Sequence, residues 1–293
     1  MRIAHISDLH ILDLAGVRAG RFANRRLIGG LNLALRRRGQ YRADILERLI
    51  EDILREEVDH VAITGDLSNL ALESEFDRVF HLIKLLGGYD RVSVVPGNHD
   101  YYTGGAIAAR RFEKFFHGFM YKGYSDLETV FYPYSKILGD VVLVGLNSAC
   151  HTTPPMAYGT LSAKQLDAAD KILSSSRVRN LRKVVLLHHT LHRRPWHTEA
   201  TTRLVNRENL LRVLMRNRVD LALYGHDHEG RVWDLTEGGH RLHLVNCGSS
   251  TRLGPDPGQR ARYRIITLEL ESGIRRIETK TYDPDERRFY RMI

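Results

Sequence analysis

Cysteine is nearly absent from this chain: Cys150 and Cys247 are the only two in 293 residues. Both stand at the ends of apolar runs, where a reducing compartment keeps them as small buried thiols, so a disulfide scaffold is excluded. Long hydrophobic runs are missing too. The longest, such as 141–146, span about six residues, against the roughly 18 that a membrane helix needs. The N-terminal MRIAHISDLH carries charged and polar residues where a signal peptide needs an apolar core, which leads to the expectation of a cytoplasmic protein. No Pro/Gly/Ser-rich linker, internal repeat or low-complexity tract divides the chain, so one domain over 1–293 is expected.

One further absence is local. No acidic residue lies between Asp13 and Asp44, while the same stretch holds Arg18, Arg21, Arg25, Arg26, Arg36, Arg37, Arg38 and Arg42. Nearly all of the net charge of +9 sits there. Such a block suits a phosphate-rich partner, whether nucleic acid, an anionic membrane surface or a phosphorylated substrate, and equally a solvated basic face.

What is present reads as alternating β-branched runs and amphipathic helices. Strands are expected at 2–7, 60–64, 91–95, 141–146, 183–188, 221–225, 242–247, 263–270 and 275–282. A helix over 43–57 places Ile45, Leu46, Leu49, Ile50 and Ile53 on one face, and one over 73–86 does the same with Phe76, Val79, Phe80 and Ile83. Further helices are expected at 162–174 and 207–217, the latter opened by Asn206 as N-cap. Strand, helix, strand in succession implies right-handed crossovers and a largely parallel sheet covered by helices. The last three strands, with no helix between them, are expected to pair antiparallel at an edge. The segment 101–135 is an elaboration rich in aromatics, in which Phe112, Phe115, Phe116 and Phe119 fit the apolar stripe of a helix; its aromatics otherwise suit a base-stacking or lipid pocket.

Metal-capable residues stand where the strands end. The first strand runs into Asp8-Leu9-His10, the second into Gly65-Asp66, the third into Gly97-Asn98-His99-Asp100, the fifth into His188-His189 and the sixth into Gly225-His226-Asp227-His228. The C-terminal ends of parallel strands open on one edge, where α/β folds bind ligands. Each motif alone is a common turn or a satisfied strand-end histidine, yet six of the fifteen histidines fall at strand ends. Mixed nitrogen and oxygen donors suit Mn, Fe or Zn rather than Ca or Mg. The donors exceed the needs of one four-coordinate ion, and a shared carboxylate such as Asp66 bridges two metals, the arrangement used in phosphoryl hydrolysis.

In that order, Asp8-x-His10, Gly65-Asp66, Gly97-Asn98-His99-Asp100, His188 and Gly225-His226-x-His228 resemble the five-block signature of the calcineurin-like metallophosphoesterases. The resemblance implies a four-layer α/β/β/α sandwich of two mixed sheets flanked by helices, with a basic insertion at 14–42. It implies two divalent metals, manganese foremost: Asp8, His10, Asp66 and His228 for one, Asp66, Asn98, His188 and His226 for the other, with His189 as the fallback for His188. A metal-bridging hydroxide would attack phosphorus. His99 would protonate the leaving group, with Asp100 holding its other ring nitrogen. Arg193 and Arg194 follow His188 closely enough to be substrate contacts, alongside His189; His192 and His197 share that position in the sequence.

The 55 residues between His10 and Asp66 exceed what the family pattern needs, and the surplus is the arginine block. Drawn as a helix over 22–38, it is basic and amphipathic, weakened by Gly29-Gly30. It suits a membrane-docking element or a lid that shows arginines to phosphate. The core resembles bacterial cyclic-nucleotide phosphodiesterases, which favours a small phosphodiester. The insertion resembles, less specifically, UDP-2,3-diacylglucosamine hydrolases, which would make the enzyme a pyrophosphohydrolase of a nucleotide-linked lipid, peripheral to the inner membrane face. A nuclease would use the basic stretch on DNA backbone, but no nucleic-acid motif supports it. A non-catalytic scaffold is set against by the intact blocks.

Overall fold

Apolar residues on neighbouring positions of one strand point to opposite faces, and in this chain that alternation divides the core in two. The structure, a computed structural model, describes residues 1–15, 17, 41–121, 132–153 and 155–292. The strands are β1 (Arg2–Ile6), β2 (His60–Thr64), β3 (Val92–Val95), β4 (Tyr134–Leu138), β5 (Val141–Gly145), β6 (Arg182–Leu186), β7 (Leu221–Tyr224), β8 (Val232–Glu237), β9 (His240–Asn246), β10 (Arg262–Glu269), β11 (Gly273–Asp283) and β12 (Arg288–Arg291). They form two six-stranded sheets, ordered β12-β11-β10-β1-β2-β3 and β4-β5-β6-β7-β9-β8.

In the second sheet Val141 and Leu143, Val184 and Leu186, and Leu221 and Leu223 pack into a core shared with the first sheet. Their neighbours Val142 and Val144, Val185 and Leu187, and Ala222 and Tyr224 face the opposite way, into a separate core. Helices close both outer faces. The residues of α1 (Ala43–Arg55), α2 (Glu73–Lys84) and, after the short α3 (Gly104–Ala108), α4 (Arg111–Met120) join the first core. Those of α5 (Ala163–Ser174) and, after α6 (Trp196–Thr202), α7 (Arg207–Arg216) join the second. The result is the expected four-layer sandwich in a single domain.

Local sequence explains the helices. Ser162 caps α5 by accepting from the Gln165 amide at 3.1 Å. In α4, Phe112, Phe116 and Phe119 are buried and Phe76 of α2 meets Phe112, Phe115 and Phe116, so these aromatics form the apolar stripe of a helix. Asn206 does precede α7, but its side chain does not cap the helix: Oδ1 accepts from the Leu161 amide and Nδ2 donates to the Leu161 carbonyl.

Strand pairing departs from expectation in two ways. In the first sheet the parallel block β1-β2-β3 runs out to the β3 edge and the antiparallel strands lie on the other side of β1, whereas the second sheet keeps a parallel centre, β5-β6-β7-β9, with an antiparallel strand at each edge. The last three expected strands also separate. β9 lies parallel to β7 because Leu242 and Leu244 belong to the second core, whereas β10 and β11 pair antiparallel in the first sheet beside β1. The strands β4, β8 and β12 were not expected. No helix among the described residues is long and apolar enough to cross a membrane. The helix expected over 22–38 lies outside the described residues, as do most of the basic insertion and positions 122–131 of the aromatic segment.

Candidate metal centre

The loops that follow β1, β2 and β3 in one sheet meet those that follow β6 and β7 in the other. The site is thus assembled across both sheets rather than along one edge. Asp8, His10, Asp66, His226 and His228 all adopt positive φ, between 46° and 79°. Left-handed backbone costs about 1–3 kcal/mol per non-glycine residue and gathers at functional sites. Glycine admits the loops to one another. A Cβ on Gly225 would overlap the Ser7 hydroxyl and the Asp8 carboxylate, and one on Gly65 would lie 2.8 Å from His188 Nδ1.

Two triads result. Asp8, His10 and His228 form one, with His228 Nε2 3.0 Å from His10 Nε2 and 3.3 Å from Asp8 Oδ1. Asp66, His188 and His226 form the other, with His188 Nε2 3.2 Å from His226 Nδ1 and 3.1 Å from Asn98 Oδ1. Asp66 stands between them. Its Oδ2 lies 3.6 Å from His10 Nε2 and 3.4 Å from His188 Nε2, while Oδ1 accepts the His99 amide at 2.8 Å. Asp8, His10, Asp66 and His188 are fully buried, and His99, His226 and His228 are partly exposed, so the cluster opens on the histidine side.

The donor set fits metal. His188 Nδ1 donates to the Thr64 carbonyl at 2.7 Å, so a neutral ring turns its Nε2 lone pair toward Asn98 Oδ1, Asp66 Oδ2 and His226. Lone pairs converging in a dry site require a cation between them, and nitrogen with carboxylate and amide oxygen is the set that borderline divalent metals take. Without metal, protons fill that need. Burial pushes His188 down, but Asp66 foremost, with Asp8 and the Thr64 carbonyl, outweighs it and lifts the ring to about 9. Burial pushes Asp66 up, yet His188, His99 and His10 hold it well below the usual carboxylate range. His226 is driven well below 6.5 by burial and by the neighbouring His189 and His188.

The remaining expected residues fall in different places. His99 lies within reach of His10 and Asp66, its Nδ1 donates to the Asn69 carbonyl at 2.8 Å, and Tyr102 stacks on it at 5.5 Å. Asp100 therefore does not hold His99. It accepts from the amides of Leu67, Ser68 and Gly97 and from the Ser68 hydroxyl, binding the second and third ligand loops together; burial first, and Asp66 second, raise it to about 7. His189 is neither ligand nor substrate contact in this geometry. It is fully buried, with Nε2 donating to the Ala157 carbonyl and Nδ1 on the Ser148 hydroxyl.

Arg193 is turned to Glu208, and Arg194 to Glu229 and Thr202, so carboxylates occupy both guanidinium groups. His192 is buried behind the last loop, 3.0 Å from Asp227 and packed on Trp233. Sequence reasoning missed the Thr64 and Asn69 carbonyls, which carry no side-chain signature. It also missed Tyr41, whose hydroxyl lies 2.9 Å from His228 Nδ1 and which reads as the tail of the arginine block.

A family model described as calcineurin-like phosphoesterase matches residues 1–230. A comparison with curated proteins found no match. Among solved structures, purple acid phosphatase PPD1 from yellow lupin (Lupinus luteus) seeds superposes with a TM-score of 0.61 at 14% identity, covering 99% of this chain and 52% of that one. A putative 5'-nucleotidase from Staphylococcus aureus gives a TM-score of 0.50 at 13% identity, covering 99% of this chain and 52% of that one. This chain thus spans about half the length of each. At such identities the superpositions show the fold alone, whereas the family match spans most of the sequence and includes every ligand loop: the chain belongs to the calcineurin-like phosphoesterases.

Proposed function

We propose that this protein is a two-metal phosphodiesterase, with Mn, Fe or Zn as the metals and manganese foremost. The observation that carries the reading is Asp66 Oδ2, one oxygen facing both triads at 3.6 and 3.4 Å. Asp8, His10 and His228 would hold one metal, Asn98, His188 and His226 the other, with Asp66 shared. Bound there, the metals supply Lewis acidity toward the phosphoryl oxygens and lower the pKa of water.

The chain's own groups do the rest. Thr64 fixes the His188 tautomer so that Nε2 remains a donor pair. Asn69 does the same for His99, holding Nδ1–H so that Nε2 is the atom that gives its proton to the leaving oxygen. The amide of His99 on Asp66 ties the acid to the shared carboxylate, so acid and metals keep one geometry. The preference for a diester draws on Gly97-Asn98-His99-Asp100 and Gly225-His226-x-His228, the blocks that resemble bacterial phosphodiesterases.

Phosphorus NMR of the Mn-loaded protein with cyclic AMP and UDP-2,3-diacylglucosamine together in detergent micelles tests this. AMP is the expected product. UMP in place of AMP would replace the small-diester reading with a membrane-surface pyrophosphohydrolase that docks through 14–42, and no product from either would exclude both substrates while the hydrolase reading stands.

A further inference from the structure

Tyr41 takes no part in the chemistry above, yet it is where the chain returns from the arginine-rich stretch to the core. Its backbone is pinned there: Tyr41 forms an antiparallel bridge with Arg252, and the Arg42 amide donates to the Thr251 carbonyl at 3.2 Å. The same stretch grips the first ligand loop. Thr251 Oγ1 donates to the Leu9 carbonyl at 2.6 Å and Ser249 Oγ to the Asp8 carbonyl at 2.7 Å. From this anchor the Tyr41 side chain reaches the metal centre. Its hydroxyl lies 2.9 Å from His228 Nδ1, and its ring centroid is 4.7 Å from that of His10 and 5.8 Å from that of His228.

We propose that Tyr41 is a positioning residue for one of the two metals, the one assigned to Asp8, His10 and His228; this rests on the two-metal reading. An imidazole that binds through Nε2 must place its Nδ1–H on an acceptor, which sets both tautomer and ring orientation. The Tyr41 oxygen is that acceptor for His228. The ring adds a wall against His10, so one side chain orients two of the three members of a single triad. The contrast with the other histidines is chemical. His188 and His99 place their Nδ1–H on backbone carbonyls of ligand loops, Thr64 and Asn69. His228 places its own on a side chain, Tyr41, whose backbone is held by Arg252 and Thr251.

The effect of losing Tyr41 is therefore asymmetric. Outer partners of metal-bound histidines are worth about 10–100-fold in affinity. Tyr41→Phe removes the hydroxyl and keeps the ring, and Tyr41→Ala removes both. The test is a Mn titration of the metal-free full chain, with free Mn followed by electron paramagnetic resonance and the melting temperature in EDTA as a check of folding. Wild type is expected to show two sites. In Tyr41→Phe one site weakens about 10-fold, and in Tyr41→Ala up to about 100-fold, while the other keeps its wild-type affinity. Turnover of an activated diester should fall at limiting Mn and return in excess Mn.

A folded Tyr41→Phe with both affinities unchanged, or with both weakened equally, would overturn the assignment of Tyr41 while leaving the two-metal reading intact. If Tyr41→Ala does not fold, the Phe variant decides alone. A wild-type protein that binds fewer than two Mn would overturn the two-metal reading itself, and the role of Tyr41 with it.

Discussion

Replacing Asp66 with asparagine removes one charge at almost constant volume, and its largest effect on the metal-free protein falls on His188. Burial alone drives that imidazole neutral; the Asp66 carboxylate, 3.4 Å from Nε2, leads the groups that reverse this, with Asp8 and the Thr64 carbonyl adding to it, and together they lift it to about 9. A histidine raised from 6.5 to about 9 contributes about 3 kcal/mol of folding free energy, at about 1.4 kcal/mol for each unit of pH. Because the folded value lies above the unfolded one, the contribution is fully present below pH 6.5 and is lost as pH rises through about 9.

Other shifted groups in and near the centre act elsewhere. Asp100, raised to about 7 by burial and Asp66, changes stability below that pH; His226, held well below 6.5 by burial, acts on the acid side; Cys247, raised to about 11 by burial, acts above 9. Urea unfolding in EDTA should therefore show the wild type losing about 2–3 kcal/mol between pH 7 and 9, against a total of about 5–15 kcal/mol for a domain. Asp66→Asn should lose clearly less across that interval, because only the smaller contributions of Asp8 and Thr64 remain. Equal slopes in the two proteins, or a flat wild type, would refute the reasoning. The same proton bears on metal binding: a metal held by His188 would have to displace it, so affinity at that site would rise as pH rises toward 9.

His99→Ala should keep both metals and lose about 10²–10⁴-fold in kcat on diesters with poor leaving groups, with little change on p-nitrophenyl esters; loss of metal in that variant, read by elemental analysis, would show that His99 is a ligand instead. Asp100→Ala strips the acceptor from the amides of Leu67, Ser68 and Gly97, and with each orphaned donor costing about 1–3 kcal/mol, chemical denaturation should show a loss above about 3 kcal/mol; a loss under about 1 kcal/mol would mean that the loops do not depend on it. Gly225→Ala drives a methyl into Ser7 and Asp8 and should abolish tight metal binding in a titration, whereas wild-type affinity would show that the last loop can move without cost.

The amphipathic helices were legible because their periods are long: α1, α2, α5 and α7 each begin within one residue of expectation and end within two. The strands β4, β8 and β12 were not. Tyr134–Leu138 and Val232–Glu237 lie at sheet edges and expose apolar Ile137 and Val232 to solvent, and Arg288–Arg291 has four residues, too few for a pattern. That the parallel strands divide between two sheets followed from the resemblance alone, since both sheets share one core and read alike in hydropathy. The ligand loops stood out because histidine and aspartate cluster at strand ends. Their supports did not, because Thr64 and Asn69 act through carbonyls that any residue owns, and Asp100, adjacent to His99 in sequence, faces backbone amides instead.

The central claim is that phosphodiester hydrolysis depends on two metals joined through Asp66. It is tested most directly by measuring the turnover of bis(p-nitrophenyl) phosphate as metal-free protein receives successive equivalents of Mn. The account predicts little turnover at one equivalent, a steep rise to a plateau at two, and abolition by EDTA and in Asp66→Asn. Full activity at one equivalent, activity that survives EDTA, or two bound Mn with no hydrolysis would contradict it.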